Sequence, residues 1–159
     1  MTRIEASVVI PAPLSEVFPY ASDWRVWPEW FEGVFDFRPT TDVARGNGAR
    51  YAYKARLLGL VAKVETEVTE FVEGRGWKGI ARKGMPHATY WLFEPTDGHT
   101  RFTYALEYEL PLPIVGRLLD SLLLKRQWRR IIATSLDNLR RHFERRRAGS
   151  EAAAGSLGA

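Results

Sequence analysis

The apolar positions of this chain change their period three times. Over residues 3–10 they alternate, with Ile4, Ala6, Val8 and Ile10 on one face, which is the pattern of a half-buried strand. Pro11 and Pro13 stop that strand. Two short helices are then predicted, one running through Tyr20 with Glu16 in its first turn, the other over 24–30 behind the capping pair Ser22-Asp23. After Gly33 the alternation returns. It predicts strands at 34–38, 49–57, 61–72, 77–82, 87–94 and 100–110, divided by Gly-rich or Pro-containing turns at 46–48, 58–60, 73–76, 84–86 and 95–99. Consecutive strands joined by short turns make an antiparallel meander, and one apolar face per strand means that the sheet is covered on one side.

The period changes again after Pro111-Leu112-Pro113. Residues 114–147 read as one helix, ~50 Å long at ~1.5 Å per residue. Such a helix must lie across most of a domain of this size, and a curved sheet wrapped around it leaves a space suited to a small apolar molecule. Residues 1–147 are expected to form a single domain. Residues 148–159 are small and low in complexity and read as a flexible tail.

Composition sharpens this picture in three places. Aromatic residues make up 13% of the 159 residues, with six Trp, six Tyr and eight Phe, enough to line a pocket as well as fill a core. Cysteine is absent, which excludes a disulfide framework, a thiolate nucleophile and any thiolate metal site. The N-terminus lacks the apolar run of a signal peptide and no stretch approaches the length of a membrane span, so a soluble, cytoplasmic protein is expected.

The net charge of +4 is uneven: residues 1–113 carry 13 basic and 15 acidic side chains, residues 114–147 carry 10 and 3. Arg140, Arg141, Arg145, Arg146 and Arg147 crowd the predicted helix end, where cations complement the helix dipole. A peripheral contact with acidic lipid is the partner such a cluster suggests. A nucleic-acid surface would interleave cations with exposed aromatics, and only Phe143 is at hand, so no nucleic acid is expected.

Three segments carry a family resemblance: IPAPLSEVFPYASDWRVWPEWFEGV near the start, GNGARYAYKARLLGLVAKVETEVTEF in the middle, and WLFEPTDGHTRFTYALEYELPLPIVGRLLDSLL leading into the long helix. The chain resembles the START/Bet v 1-like (SRPBCC) superfamily, in its polyketide cyclase/dehydrase and lipid-transport branch, over residues 1–145. That resemblance implies an α+β helix-grip fold: a curved antiparallel sheet of about seven strands, two short helices and one long C-terminal helix enclosing a cavity. The Trp-Pro-Glu-Trp-Phe segment is similar to what cyclases of this kind carry near the pocket rim.

In that fold the inward strand faces put Tyr51, Tyr53, Thr66, Thr89, Trp91, Tyr104 and Tyr108 in the cavity, with Trp77 beside them and His87 near the mouth. On the helix, Leu118, Leu122, Ile132, Leu136 and Phe143 form one stripe at 100° per residue, and Lys125 and Arg129 fall within it. Two cations facing an apolar sheet need a partner or a route to solvent, so Arg129 and then Lys125 are expected to anchor a polar or anionic group of a ligand. The paired Glu65/Glu67 and Glu107/Glu109 read as a solvated outer face. The three histidines are too dispersed for a metal site, and no phosphate-binding or dinucleotide motif occurs, so neither metal nor cofactor is expected.

The expected function is binding of a hydrophobic or amphipathic small molecule, such as a lipid, quinone, isoprenoid or aromatic polyketide. The alternative is a polyketide cyclase/aromatase or dehydrase using the same cavity. The Leu-rich start of the helix allows a monomer or a homodimer.

Overall fold

In a computed structural model, which describes residues 1–110 and 118–158, the chain forms β1 (Thr2–Ile10), α1 (Leu14–Ala21), α2 (Trp27–Trp30), β2 (Val34–Pro39), β3 (Arg50–Leu57), β4 (Leu60–Val72), β5 (Gly76–Lys83), β6 (His87–Thr96), β7 (His99–Tyr108) and α3 (Leu118–Leu157). The strands make one antiparallel sheet in the order β1-β7-β6-β5-β4-β3-β2. The first strand closes against the last, Ile4 opposite Leu106 and Val8 opposite Phe102. The remaining neighbours are consecutive hairpins.

The sheet curls because its strands are irregular where they must bend. Register slips between Phe35 and Arg38 on β2 and between Thr69 and Val72 on β4, with Asp36 and Glu70 at positive φ. Such bulges add a residue to one strand and sharpen its twist. The curled sheet, the two short helices and the long one make an α+β helix-grip fold, and the predicted strands fall within a few residues of those observed.

The concave face carries the core. Phe93 and Phe102 stack at 4.3 Å, and Phe18 from α1 meets Phe93 edge-on at 5.2 Å. The α3 side chains facing the sheet are Leu124, Trp128, Ile131, Ile132, Ser135, Leu136, Leu139 and Phe143. Two polar contacts pin α2 and the turn after it to α3: Asn138 donates to the Trp30 carbonyl at 3.2 Å, and the Ser135 hydroxyl accepts from the Glu32 amide at 2.9 Å. The convex face is ionic. Glu67 accepts from Arg50 at 2.7 Å and Arg82 at 2.8 Å, and Glu107 from Arg3 at 2.6 Å.

The helix departs from expectation in two ways. Its buried stripe shares Ile132, Leu136 and Phe143 with the predicted one, but towards the N-terminus it continues through Trp128 and Leu124, each four residues back, instead of Arg129 and Lys125. Arg129 and Leu122 are exposed and Lys125 is half-buried. The four-residue step keeps the apolar ring of Trp128 on the sheet and leaves the cations at the flank, where their charge stays hydrated.

The helix also runs through 148–157, where the composition predicts a flexible tail. Alanines favour helix intrinsically, and Arg147 bonds Glu151 one turn on at 3.1 Å. The predicted hinge at 111–113 and helix start at Ile114 lie outside the described residues.

Candidate ligand-binding cavity

Between the sheet and α3 lies a narrow cavity, about 70 Å³ measured as the space open to the centre of a water molecule. Nine Phe, Tyr and Trp rings stand in its wall. Trp77 and Trp91, paired across β5 and β6, stack at 4.5 Å, and Trp91 meets Tyr104 edge-on at 5.2 Å. Trp27 and Phe31, from α2 and its C-terminal end, and Phe37 from β2 complete the aromatic lining, with Trp128 contributed by α3.

Eight of the eleven residues proposed from the sequence line this space: Tyr51, Tyr53, Thr66, Trp77, His87, Thr89, Trp91 and Tyr104. The alternation of each strand brings them together. Tyr108, Lys125 and Arg129 do not line it. Tyr108 is buried on the same sheet face beyond the cavity, and burial pushes its phenol above the ordinary value while the Arg129 charge acts the other way. The two helix cations are therefore no anchor inside the cavity: among the described residues its lining holds no Asp, Glu, Lys or Arg.

The polar groups form a directed chain. Nδ1 of His87 lies 2.8 Å from the Met85 carbonyl oxygen, which only accepts, so Nδ1 carries the proton. Burial holds the imidazole below its ordinary pKa and so neutral near pH 7. Nε2 is then an acceptor, and the Tyr53 hydroxyl donates to it at 3.3 Å. With its proton committed, Tyr53 accepts from Thr66 at 3.0 Å. Burial raises the Tyr53 phenol to about 12 and pushes Tyr104 well above its ordinary range.

Gly79 makes room for this chain. A Cβ there would stand 2.4 Å from the Thr89 hydroxyl and 2.9 Å from the Thr66 methyl. Among the described residues two buried indole N–H groups have no partner, those of Trp30 and of the cavity-lining Trp128.

The α3 contribution escapes a sequence reading because a stripe counted three back from Ile132 reaches Arg129, whereas counting four back reaches Trp128. Gly79 and Met85 carry no local signal of their place in the site. No group of three or more His, Asp or Glu that could hold a metal occurs among the described residues, and none of their helices is long and apolar enough to cross a membrane.

A family model described as polyketide cyclase / dehydrase and lipid transport matches residues 1–144. The chain belongs to this family. Its fold is shared with solved structures at low identity. TTHA0849 of Thermus thermophilus is 23% identical with a TM-score of 0.70, over 87% of this chain and 97% of that one. The KanY protein, solved by NMR, is 17% identical with a TM-score of 0.72, over 91% and 99%. A START superfamily protein from Mycobacterium smegmatis is 15% identical with a TM-score of 0.72, over 88% and 97%. At these identities the likeness establishes the fold. No curated protein matches the sequence.

Proposed function

We propose that this member of the polyketide cyclase/dehydrase and lipid transport family binds a neutral, flat, hydrophobic molecule that presents a hydrogen-bond acceptor, such as a quinone or an aromatic polyketide. The supporting observation is the cavity lining: rings and aliphatic side chains, a neutral imidazole, and the Tyr53 and Thr66 hydroxyls. Among the described residues no cation lines the cavity, so a carboxylate or phosphate would enter at a large desolvation cost. A carbonyl oxygen asks far less desolvation, and the Trp128 N–H, unpaired among the described residues, becomes a donor to it once the ring turns towards the cavity. The narrowness favours a planar ligand, which slides between rings with little displacement of a packed wall.

Fluorescence titration tests this reading, since Trp27, Trp77, Trp91 and Trp128 all line the cavity. An aromatic ketone or quinone is expected to quench saturably, and the matching carboxylate to bind at least ~10-fold more weakly at neutral pH. Equal binding of the carboxylate would overturn the proposal.

Catalysis on such a ligand is a second reading, supported by the Thr66–Tyr53–His87 chain. A neutral imidazole with an accepting Nε2 and a phenol beside it has the form of a general base with a proton carrier. Deuterium exchange at carbons next to the ligand carbonyl, followed by NMR, tests it. Exchange should be accelerated by the protein and lost in His87→Gln; exchange at the solvent rate sets the second reading aside and leaves the first standing.

A further inference from the structure

Large apolar side chains stand in the open at one end of this cavity. Leu58 is 48% exposed, Leu60 74% and Val61 55%, all at the tip of the β3–β4 hairpin, while Leu122 is 61% and Leu123 52% exposed on α3. The two groups are joined: the Leu58 amide donates to the Gln127 side-chain oxygen at 2.8 Å, and Leu123 lies one turn before Gln127 on the same helix face. The adjacent residues along each chain segment, Leu57 and Trp128, line the cavity. The patch therefore adjoins the ligand space.

The turn itself is unusual. Leu58 and Gly59 both have positive φ, 49° and 79°, a conformation in which Asn or Asp normally precedes Gly. A branched apolar residue is held there against local preference, with its side chain in solvent. The charge around it is mainly positive, although Glu32 stands next to Gly33, whose carbonyl accepts from the Arg56 amide at 2.9 Å. No Asp or Glu occurs between residues 51 and 64 or between 121 and 136, whereas Arg56, Lys63, Arg126 and Arg130 do, and all four are exposed. Long basic side chains beside an apolar tip can hold their heads at a phosphate layer while the tip sits among acyl chains.

We propose that the β3–β4 tip, Leu58–Val61, together with Leu123 and its neighbouring arginines on α3, docks this protein on an anionic lipid bilayer with the cavity end turned towards the membrane. The charge pattern commits the occupant to a lipid surface: apolar side chains match the acyl region and a mainly cationic collar matches acidic headgroups. This site is at the opposite end of the described helix from Arg145–Arg147, so the two can be separated by mutation.

Co-sedimentation with phosphatidylcholine vesicles, with and without phosphatidylserine, tests the surface using the full chain and no added ligand, so its result is independent of the cavity reading. Binding is expected to the phosphatidylserine vesicles. Arg126→Gln and Arg130→Gln should each weaken it about fivefold, and Leu58→Asp with Leu60→Asp should abolish it at an unchanged melting temperature. The combined Arg145→Gln, Arg146→Gln and Arg147→Gln variant should keep most of it. Three results would overturn the proposal: no vesicle binding by the parent; binding that survives the hairpin variant but is lost in the Arg145–Arg147 variant; or a homodimer, broken by Leu60→Asp, that binds no vesicles.

Discussion

Nδ1 of His87 donates to the Met85 carbonyl at 2.8 Å, and that contact fixes the imidazole as an acceptor at Nε2, towards Tyr53. The ring is held neutral by burial, so its folded pKa lies below its ordinary 6.5. As pH falls through ~6.5 the unfolded chain takes up a proton that the folded chain refuses, and stability drops until His87 itself is protonated. Melting temperature measured between pH 5 and 8 should therefore fall more on the acid side for the parent than for His87→Gln. Parallel curves would show that His87 is not held neutral.

Trp91 is the hub of the ring cluster. It stacks on Trp77 at 4.5 Å and touches Trp27 at 5.6 Å, Phe102 at 5.6 Å and Tyr104 at 5.2 Å. Trp91→Ala should lower stability by ~3–5 kcal/mol in urea unfolding. A loss under ~1 kcal/mol would mean that the wall closes over the gap.

The spare Trp128 donor gives a test that separates a hydrogen bond from mere volume. Trp128→Phe keeps a ring and removes the N–H. Its affinity for an aromatic ketone should fall by ~3–10-fold, the worth of one neutral hydrogen bond, while affinity for the corresponding hydrocarbon changes much less. Equal losses for both ligands would place the effect in packing.

Gly79→Ala would push a methyl group against the Thr89 hydroxyl and the Thr66 methyl. Overpacking of this kind costs ~1–3 kcal/mol, and the added carbon occupies the cavity floor. Ligand binding should weaken with a folded, less stable protein. Unchanged affinity would show that the ligand sits towards the hairpin end instead.

The last turns of α3 bury nothing. Beyond Phe143 every described residue is exposed, through Gly158. Deleting residues 148–159 should reduce helical circular dichroism yet shift stability by no more than ~0.5 kcal/mol. A larger loss would mean that this segment packs on the domain.

Much of this architecture could be read from period alone. The alternation of Tyr51 with Tyr53 and of Thr89 with Trp91 put each pair on one face, and the turns between strands left few other topologies. The change of period after Pro113 supplied the long helix, and the resemblance of three segments to START-like proteins implied that it encloses a cavity with the sheet. What failed was the rotation of that helix. A stripe through Lys125 and Arg129 fits 100° per residue nearly as well as one through Trp128 and Leu124, and only the position of the sheet selects between them.

The sequence by itself determined the strands, their inward faces, the long helix and the aromatic character of the cavity, because periodicity and turn chemistry are local properties. Tertiary structure alone decided three things. It left the cavity lining, among the described residues, without a cation, by rotating Arg129 to solvent. It linked Thr66, Tyr53, His87 and the Met85 carbonyl across three strands and a loop, and so set the direction of every proton in that chain. It gathered Leu58, Leu60 and Leu123, far apart in sequence, at one end of the cavity. Each depends on distances between elements, and no local pattern encodes those.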